Sequence, residues 1–108
     1  MDMTGGTVYV NPNMVLDLIN NKKLKNAWRT AFLLIQNIET HNIITTSVAE
    51  MAEQMDVKAS AFRADLQALA DVGVLELRKD PDHIVISPEF AWKGSSQTHM
   101  DALNKIKQ

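Results

Sequence analysis

Apolar residues recur every three or four positions through the middle of the chain. This spacing places one broad apolar stripe along a helix, and we predict a helix from Leu24 to His41 at the centre of the fold. Trp28 and Phe32 lie on the stripe and are expected to be core residues. The stripe consists of Leu24, Ala27, Trp28, Ala31, Phe32, Ile35 and Ile38.

A second pattern predicts two shorter helices joined by a tight turn. Ser47 and Glu50 have the spacing of a capping box, so the first of these helices begins at Ser47. Its buried face is predicted to contain Val48, Met51, Ala52 and Met55. Residues 56–58 form the turn, and the second helix runs from Ala59 or Ser60 to Val72, with Gly73 as its stop. The contacts between the two helices are expected from Ala52, Val57, Phe62 and Leu66, with Leu69 and Ala70 also facing inward.

The residues after Gly73 alternate between apolar and polar, as in a β-hairpin. Residues 74–78 and 83–87 are the two predicted strands, and Lys79, Asp80, Pro81 and Asp82 supply turn residues. The β-branched run at residues 43–45 is expected to pair with this hairpin as a minor strand. The predicted fold class is α+β, mainly helical: a winged helix-turn-helix with a C-terminal β-hairpin wing.

The chain divides into three predicted segments around one modest core. Residues 1–23 hold a strand near residues 7–10, an Asn11 cap with Pro12 at the first helical position, and an apolar stretch from Met14 to Ile19. Residues 24–94 are the winged-helix domain, and residues 95–108 are a polar tail or short helix. We expect a homodimer, built from the N-terminal segment as a dimer arm, from Met100, Leu103 and Ile106 of the tail, or from both.

The second helix of such a unit most often contacts the DNA major groove, which makes its outward face a candidate site. That face carries short residues around one arginine and one glutamine, and this suits close approach to base edges or phosphates. Hydroxyl and basic residues of the flanking elements are candidates for phosphate contacts. The candidate double-stranded DNA-binding residues are Thr46, Ser47, Lys58, Ala59, Ser60, Arg63, Ala64, Gln67, Arg78 and Lys79, with Thr45 beside them.

The charge balance keeps a second function class open. The net charge is −2 and the pI about 5.8, so the chain has no overall basic field of the kind that attracts nucleic acid. Asp80 and Asp82 at the wing tip would repel phosphate, although a basic cluster of Lys22, Lys23, Lys25 and Arg29 precedes or begins the main helix. The alternative is a winged-helix module that binds a protein partner without specific DNA binding.

Enzymatic chemistry is not expected from this sequence. There are no cysteines, and His41, His83 and His99 lack the spacing of a metal site. We therefore expect no catalysis, cofactor or metal. The first residues lack a secretory signal and the longest apolar run is too short to span a membrane, so we expect a cytoplasmic protein.

A motif behind the wing suggests a family. Residues 87–94 read Ser-Pro-Glu-Phe-Ala-Trp-Lys-Gly, and over Trp28 to Gly94 the chain resembles the firmicute plasmid replication proteins of the RepL kind. In that family a winged helix follows a long first helix, and the wing runs into a proline turn that closes with an aromatic-Lys-Gly ending. The resemblance implies a DNA-binding plasmid or phage replication protein, with a small transcriptional regulator as the other possibility. We expect at least one of Phe90 and Trp92 to seal the core beneath the wing.

Overall fold

The computed structural model describes residues 8–79 and 82–107 and contains five α-helices and five β-strands over that part of the chain. The helices are α1 (Pro12–Asn20), α2 (Ala27–Asn37), α3 (Val48–Gln54), α4 (Ala59–Asp71) and α5 (Ser96–Lys107). The strands are β1 (Val8–Val10), β2 (Ile43–Ile44), β3 (Leu75–Lys79), β4 (Asp82–Ile86) and β5 (Ala91–Lys93). The predicted mainly helical α+β class is confirmed.

The central helix is shorter at both ends than the pattern predicted. Lys25 has a φ of 53°, which no α-helix accommodates, so Leu24 belongs to a separate 3₁₀ turn and α2 begins at Ala27. At the other end Ile38 is extended and His41 has a φ of 66°. The prediction of one helix from Leu24 to His41 was therefore wrong, although Leu24 and Ile38 are both buried.

The buried face of α2 is also rotated from the predicted stripe. Ala27, Ala31 and Leu34 are buried, whereas Phe32 is 39% exposed and so was wrongly placed in the core. Thr30 is fully buried on this face because its hydroxyl donates a hydrogen bond of 2.8 Å to the Asp65 carboxylate on α4. A satisfied hydroxyl costs little to bury, and hydrophobic spacing alone does not detect it.

Helices α3 and α4 form the predicted helix-turn-helix. The Ser47 hydroxyl accepts a hydrogen bond of 3.1 Å from the Glu50 N–H and caps α3, and Gly73, with a φ of +83°, follows α4. Met51, Ala52, Phe62 and Leu66 are buried where the helices meet. Val57 was wrongly included among these contacts: its side chain is 39% exposed, and only its backbone N–H reaches back, to the Ala52 carbonyl.

The predicted hairpin is confirmed, and with the minor strand it forms a three-stranded antiparallel sheet in the order β2-β4-β3. Its strand bounds were wrong by one residue: Lys79 and Asp82, predicted as turn residues, pair with each other as the last position of β3 and the first of β4. Leu77 lies opposite Ile84 across the hairpin, and Ile84 lies opposite Ile44 of the minor strand. The predicted tip residues Asp80 and Pro81 lie outside the described residues, as does the side chain of Asp82.

A second, two-stranded sheet joins the start of the described chain to the strand before α5. Strand β1 pairs antiparallel with β5, which brings Tyr9 opposite Trp92. Asn11 caps α1 and its N–H donates to the Phe90 carbonyl, and both Phe90 and Trp92 are buried. Both aromatics therefore seal the core behind the wing. Residue 7 of the predicted first strand lies outside the described residues.

Residues of the predicted tail form helix α5. Its first turn lies against the β1-β5 sheet, where the His99 ring stacks on Trp92 with centroids 5.6 Å apart and contacts the tilted Tyr9 ring at 5.1 Å. Trp92 Nε1 also donates to the Thr98 hydroxyl at 3.2 Å. Met100 and Ile106 are exposed further along α5.

Candidate nucleic-acid interface

A groove of about 580 Å³ lies between the start of α3, the exposed face of α4 and the hairpin. Its floor is apolar, because Ile44, Leu66 and Ile84 come together there from β2, α4 and β4. Polar side chains line its walls. The groove therefore joins the helix-turn-helix and the wing into one surface.

The sequence-predicted residues divide between this groove and its surroundings. Five of them line it: Thr46, Ser47, Arg63, Gln67 and Arg78. Four others are exposed on the turn and on α4 outside the lining: Lys58, Ala59, Ser60 and Ala64. Lys79 ends β3, and its side chain lies outside the described part of the structure.

Arg63 projects from α4 into the groove without an internal partner among the described residues. The nearest carboxylate in sequence, Asp65, accepts the Thr30 hydroxyl instead. An arginine side chain carries five N–H donors in a planar fork, which suits a guanine edge or a phosphate. The Arg63 guanidinium is therefore available for an external acceptor.

Gln67 lies one helical turn after Arg63 on α4 and forms a hydrogen bond with Asp71, one turn further along the helix. Its Nε2 donates to Asp71 Oδ1 at 2.9 Å, an i, i+4 pair on the exposed face of α4. The sequence prediction named Gln67 and missed Asp71, although the four-residue spacing was a usable signal. This bond favours one orientation of the Gln67 amide in the free protein.

The hydroxyl residues before α3 differ in what they can still donate. Thr46 donates to Asn37 Oδ1 at 3.3 Å, and Thr45 donates to the Glu39 carboxylate, so both hydroxyl protons are used internally. Ser47 Oγ accepts from the Glu50 N–H, and its own proton has no acceptor within the part of the chain that the structure describes. Of the three, Ser47 is the one able to donate to a phosphate without losing an internal bond.

Arg78 enters the groove from the wing together with a neighbouring acid. Its Nε is 3.1 Å from Glu76 Oε1, and the two side chains are 51% and 65% exposed. An ion pair this exposed contributes little and exchanges readily for another anion. Glu76 nevertheless reduces the positive charge that the wing offers to phosphate.

Some lining residues were not predicted as site residues. Leu77 and His83 line the wall from β3 and β4 and were assigned only to the hairpin. Strand alternation indicates which face they share, but the position of that face over α4 depends on how the sheet packs. The basic residues Lys22, Lys23, Lys25 and Arg29 do not line the groove.

The described residues contain neither a metal cluster nor a membrane span. No group of three or more histidine, cysteine, aspartate or glutamate side chains there is arranged to hold a metal ion. No helix within residues 8–79 and 82–107 is long and apolar enough to cross a membrane.

The fold and this groove define a winged helix-turn-helix protein in which the second helix and the wing share one surface. The chain belongs to the firmicute plasmid replication protein (RepL) family, whose model matches residues 4–108. The match extends well beyond the stretch from Trp28 to Gly94 that carried the resemblance in sequence. No curated protein and no solved structure matches the chain.

Proposed function

We propose that this plasmid replication family member binds double-stranded DNA sequence-specifically and acts by binding, without catalysis. The observation that carries the proposal is the position of Arg63 and Gln67 on the exposed face of α4, in a groove completed by the wing. Within residues 8–79 and 82–107, Arg63 has no hydrogen-bond or ion-pair partner. A helix of this kind presents base-reading side chains to the major groove. The family match supports replication as the setting.

The residues take two roles in this proposal. Arg63 and Gln67 read base edges, and the short side chains Ala59, Ser60 and Ala64 allow the helix to approach them closely. Ser47, Lys58, Arg78 and Lys79 contact phosphates. Thr45 and Thr46 lie beside them in the groove, with their hydroxyl protons already donated to Glu39 and Asn37. Phosphate contacts give affinity and base contacts give sequence preference.

The test begins with selection of a preferred duplex from a random library by the full chain. Fluorescence anisotropy then compares the selected duplex with a scrambled one for the parent and for Arg63→Ala. We expect Arg63→Ala to reduce the preference by about 5- to 150-fold, which corresponds to about 1–3 kcal/mol for an arginine that reads guanine. Lys105→Ala removes one exposed cation from α5, away from the groove lining, and is the control.

The phosphate contacts are tested by the salt dependence of the same binding. Lys58→Ala should weaken binding to both duplexes alike and reduce the slope of log affinity against log salt by about one unit. Because this loss does not depend on sequence, it distinguishes Lys58 from Arg63.

A protein-binding module is the second candidate, favoured by the net charge of −2 and by Glu76 beside Arg78. It predicts no enriched sequence in the selection, duplex binding that disappears as salt is raised, and no effect of Arg63→Ala. That combination would overturn the proposal of specific DNA binding.

A further inference from the structure

The hydrogen bond between Gln67 and Asp71 leaves a defined set of free groups in the groove. A glutamine amide has two N–H donors and one carbonyl oxygen, and one N–H is used by Asp71 Oδ1 at 2.9 Å. One N–H and Oε1 are left. Gln67 lines the groove and Asp71 does not, so Asp71 contacts the Gln67 amide from outside the groove lining.

The free donor and acceptor match one base. Adenine presents N7 as an acceptor and its N6 amino group as a donor in the major groove, and a glutamine amide pairs with both at once. We propose that Gln67 reads an adenine and that Asp71 is the positioning residue that orients it. This inference rests on the proposed DNA binding and adds a second base, read by Gln67, to the guanine read by Arg63.

The spacing of the two side chains adds a prediction about register. Arg63 and Gln67 are four residues apart on α4, which is about 6 Å along a helix axis. Adjacent bases of one strand are spaced by about 3.4 Å. With α4 lying along the DNA major groove, the guanine read by Arg63 and the adenine read by Gln67 are about two base pairs apart.

The experiment uses the selected duplex with every position changed in turn. Gln67→Ala should remove the preference for adenine at one position, a loss of about 5- to 150-fold, and leave the guanine preference intact. Gln67→Glu should change the preference at that position to cytosine, because a carboxylate accepts from the cytosine amino group. This change of base cannot result from a loss of folding.

Two variants of Asp71 separate its hydrogen bond from its charge. Asp71→Ala and Asp71→Asn both remove the negative charge, and only the asparagine retains an acceptor for Gln67 Nε2. We expect Asp71→Ala to reduce the adenine preference by about 1.4- to 2-fold, the contribution of an exposed i, i+4 pair. Asp71→Asn should retain most of the preference, and neither variant should alter the guanine position.

The experiments separate specific DNA binding, adenine reading by Gln67 and positioning by Asp71. If Gln67→Ala changes no position while Arg63→Ala still removes the guanine preference, the role of Gln67 is overturned and specific DNA binding stands. Equal preferences for Asp71→Ala and Asp71→Asn would overturn the positioning role alone. If the parent enriches no sequence, the proposed function and this inference both fail.

Discussion

The side chain of Asn42 bonds three backbone groups of β4 and β5 beneath the wing. Its Nδ2 donates to the carbonyls of Ile86 at 3.0 Å and Ala91 at 2.7 Å, and its Oδ1 accepts from the Lys93 N–H at 3.0 Å. Asn42 is buried and has a φ of 65°, a backbone conformation that asparagine tolerates better than most residues. One amide therefore connects β4 to β5.

Asn42→Ala should destabilise the protein by at least about 2 kcal/mol, because buried backbone groups lose their partners and alanine is strained at positive φ. Asn42→Gly removes the same hydrogen bonds without that strain, and should cost less. Denaturant unfolding measures both, with Asn20→Ala on exposed α1 surface as the control. Two variants as stable as the parent would show that this amide does not hold the strands together.

Two hydrogen bonds from Thr45 lower the pKa of the Glu39 carboxyl group. The bond from the Thr45 hydroxyl has the largest effect, followed by the bond from the Thr45 N–H. Burial acts against them, the charge of Lys93 adds a smaller lowering, and the Glu39 pKa lies below its usual 4.5. Because the folded pKa is lowered, this stabilisation is present above pH 4.5 and is lost as the pH falls through the lower folded value.

Thr45→Val should raise the Glu39 pKa toward 4.5, since it removes the hydroxyl donor and retains the N–H donor. An NMR titration of the Glu39 carboxyl group measures the change. Thr40→Val changes an exposed threonine nearby and should leave the titration as it is. An unaltered midpoint in Thr45→Val would contradict the assigned cause.

At the scale of elements, α4 is the helix on which the domain is assembled. It packs against α2, α3 and β3, and its inward residues Phe62, Leu66 and Leu69 are buried. The same helix presents Arg63 and Gln67 outward. Its core contacts therefore fix the direction of the proposed base-reading face, and damage to them should affect folding and binding together.

Phe62→Ala and Phe32→Ala form a matched pair for this role. Phe62 is 0% exposed, and its truncation should cost about 3–5 kcal/mol. Phe32 is 39% exposed and contacts Trp28 edge-to-face with ring centroids 6.1 Å apart, so its truncation should cost less than about 1.5 kcal/mol. Thermal and denaturant unfolding distinguish the two, and equal losses would mean that the assigned faces of α2 and α4 are wrong.

At the scale of the whole molecule, exposed apolar side chains remain on the first and the last helix. Met14, Val15 and Leu18 of α1 pack on the core, which leaves Leu16 and Ile19 exposed by 56% and 49%. Met100 and Ile106 of α5 are exposed by 58% and 50%. A dimer would cover such patches, and if the protein binds DNA as proposed, it would place the α4 helices of both copies on one DNA site.

We predict a homodimer with twice the chain mass of 12.1 kDa. Leu16→Lys with Ile19→Lys tests the α1 patch, and Met100→Lys with Ile106→Lys tests the α5 patch. Light scattering should report a dimer for the parent and a monomer for at least one pair, since a lysine cannot be buried unpaired at an interface. A parent that is monomeric at high micromolar concentration would contradict the prediction.

The sequence by itself determined the helix ends, turns and strands that depend on residues a few positions apart. The Ser47 cap, the stop at Gly73, the turn after Met55 and the alternation of the hairpin each depend on residues a few positions apart, and each was predicted. The outward face of α4 followed from its inward face. That half of the candidate site therefore follows from the amino-acid sequence alone.

Tertiary structure decided what depends on distant partners. The buried Thr30 needs Asp65, 35 residues away. The ends of α2 follow from the positive φ at Lys25 and the extended backbone at Ile38, which periodicity does not reveal. Which of the candidate residues share a groove depends on how the wing packs over α4. Residues adjacent in sequence fix local conformation, whereas burial and the meeting of side chains are properties of the packed chain.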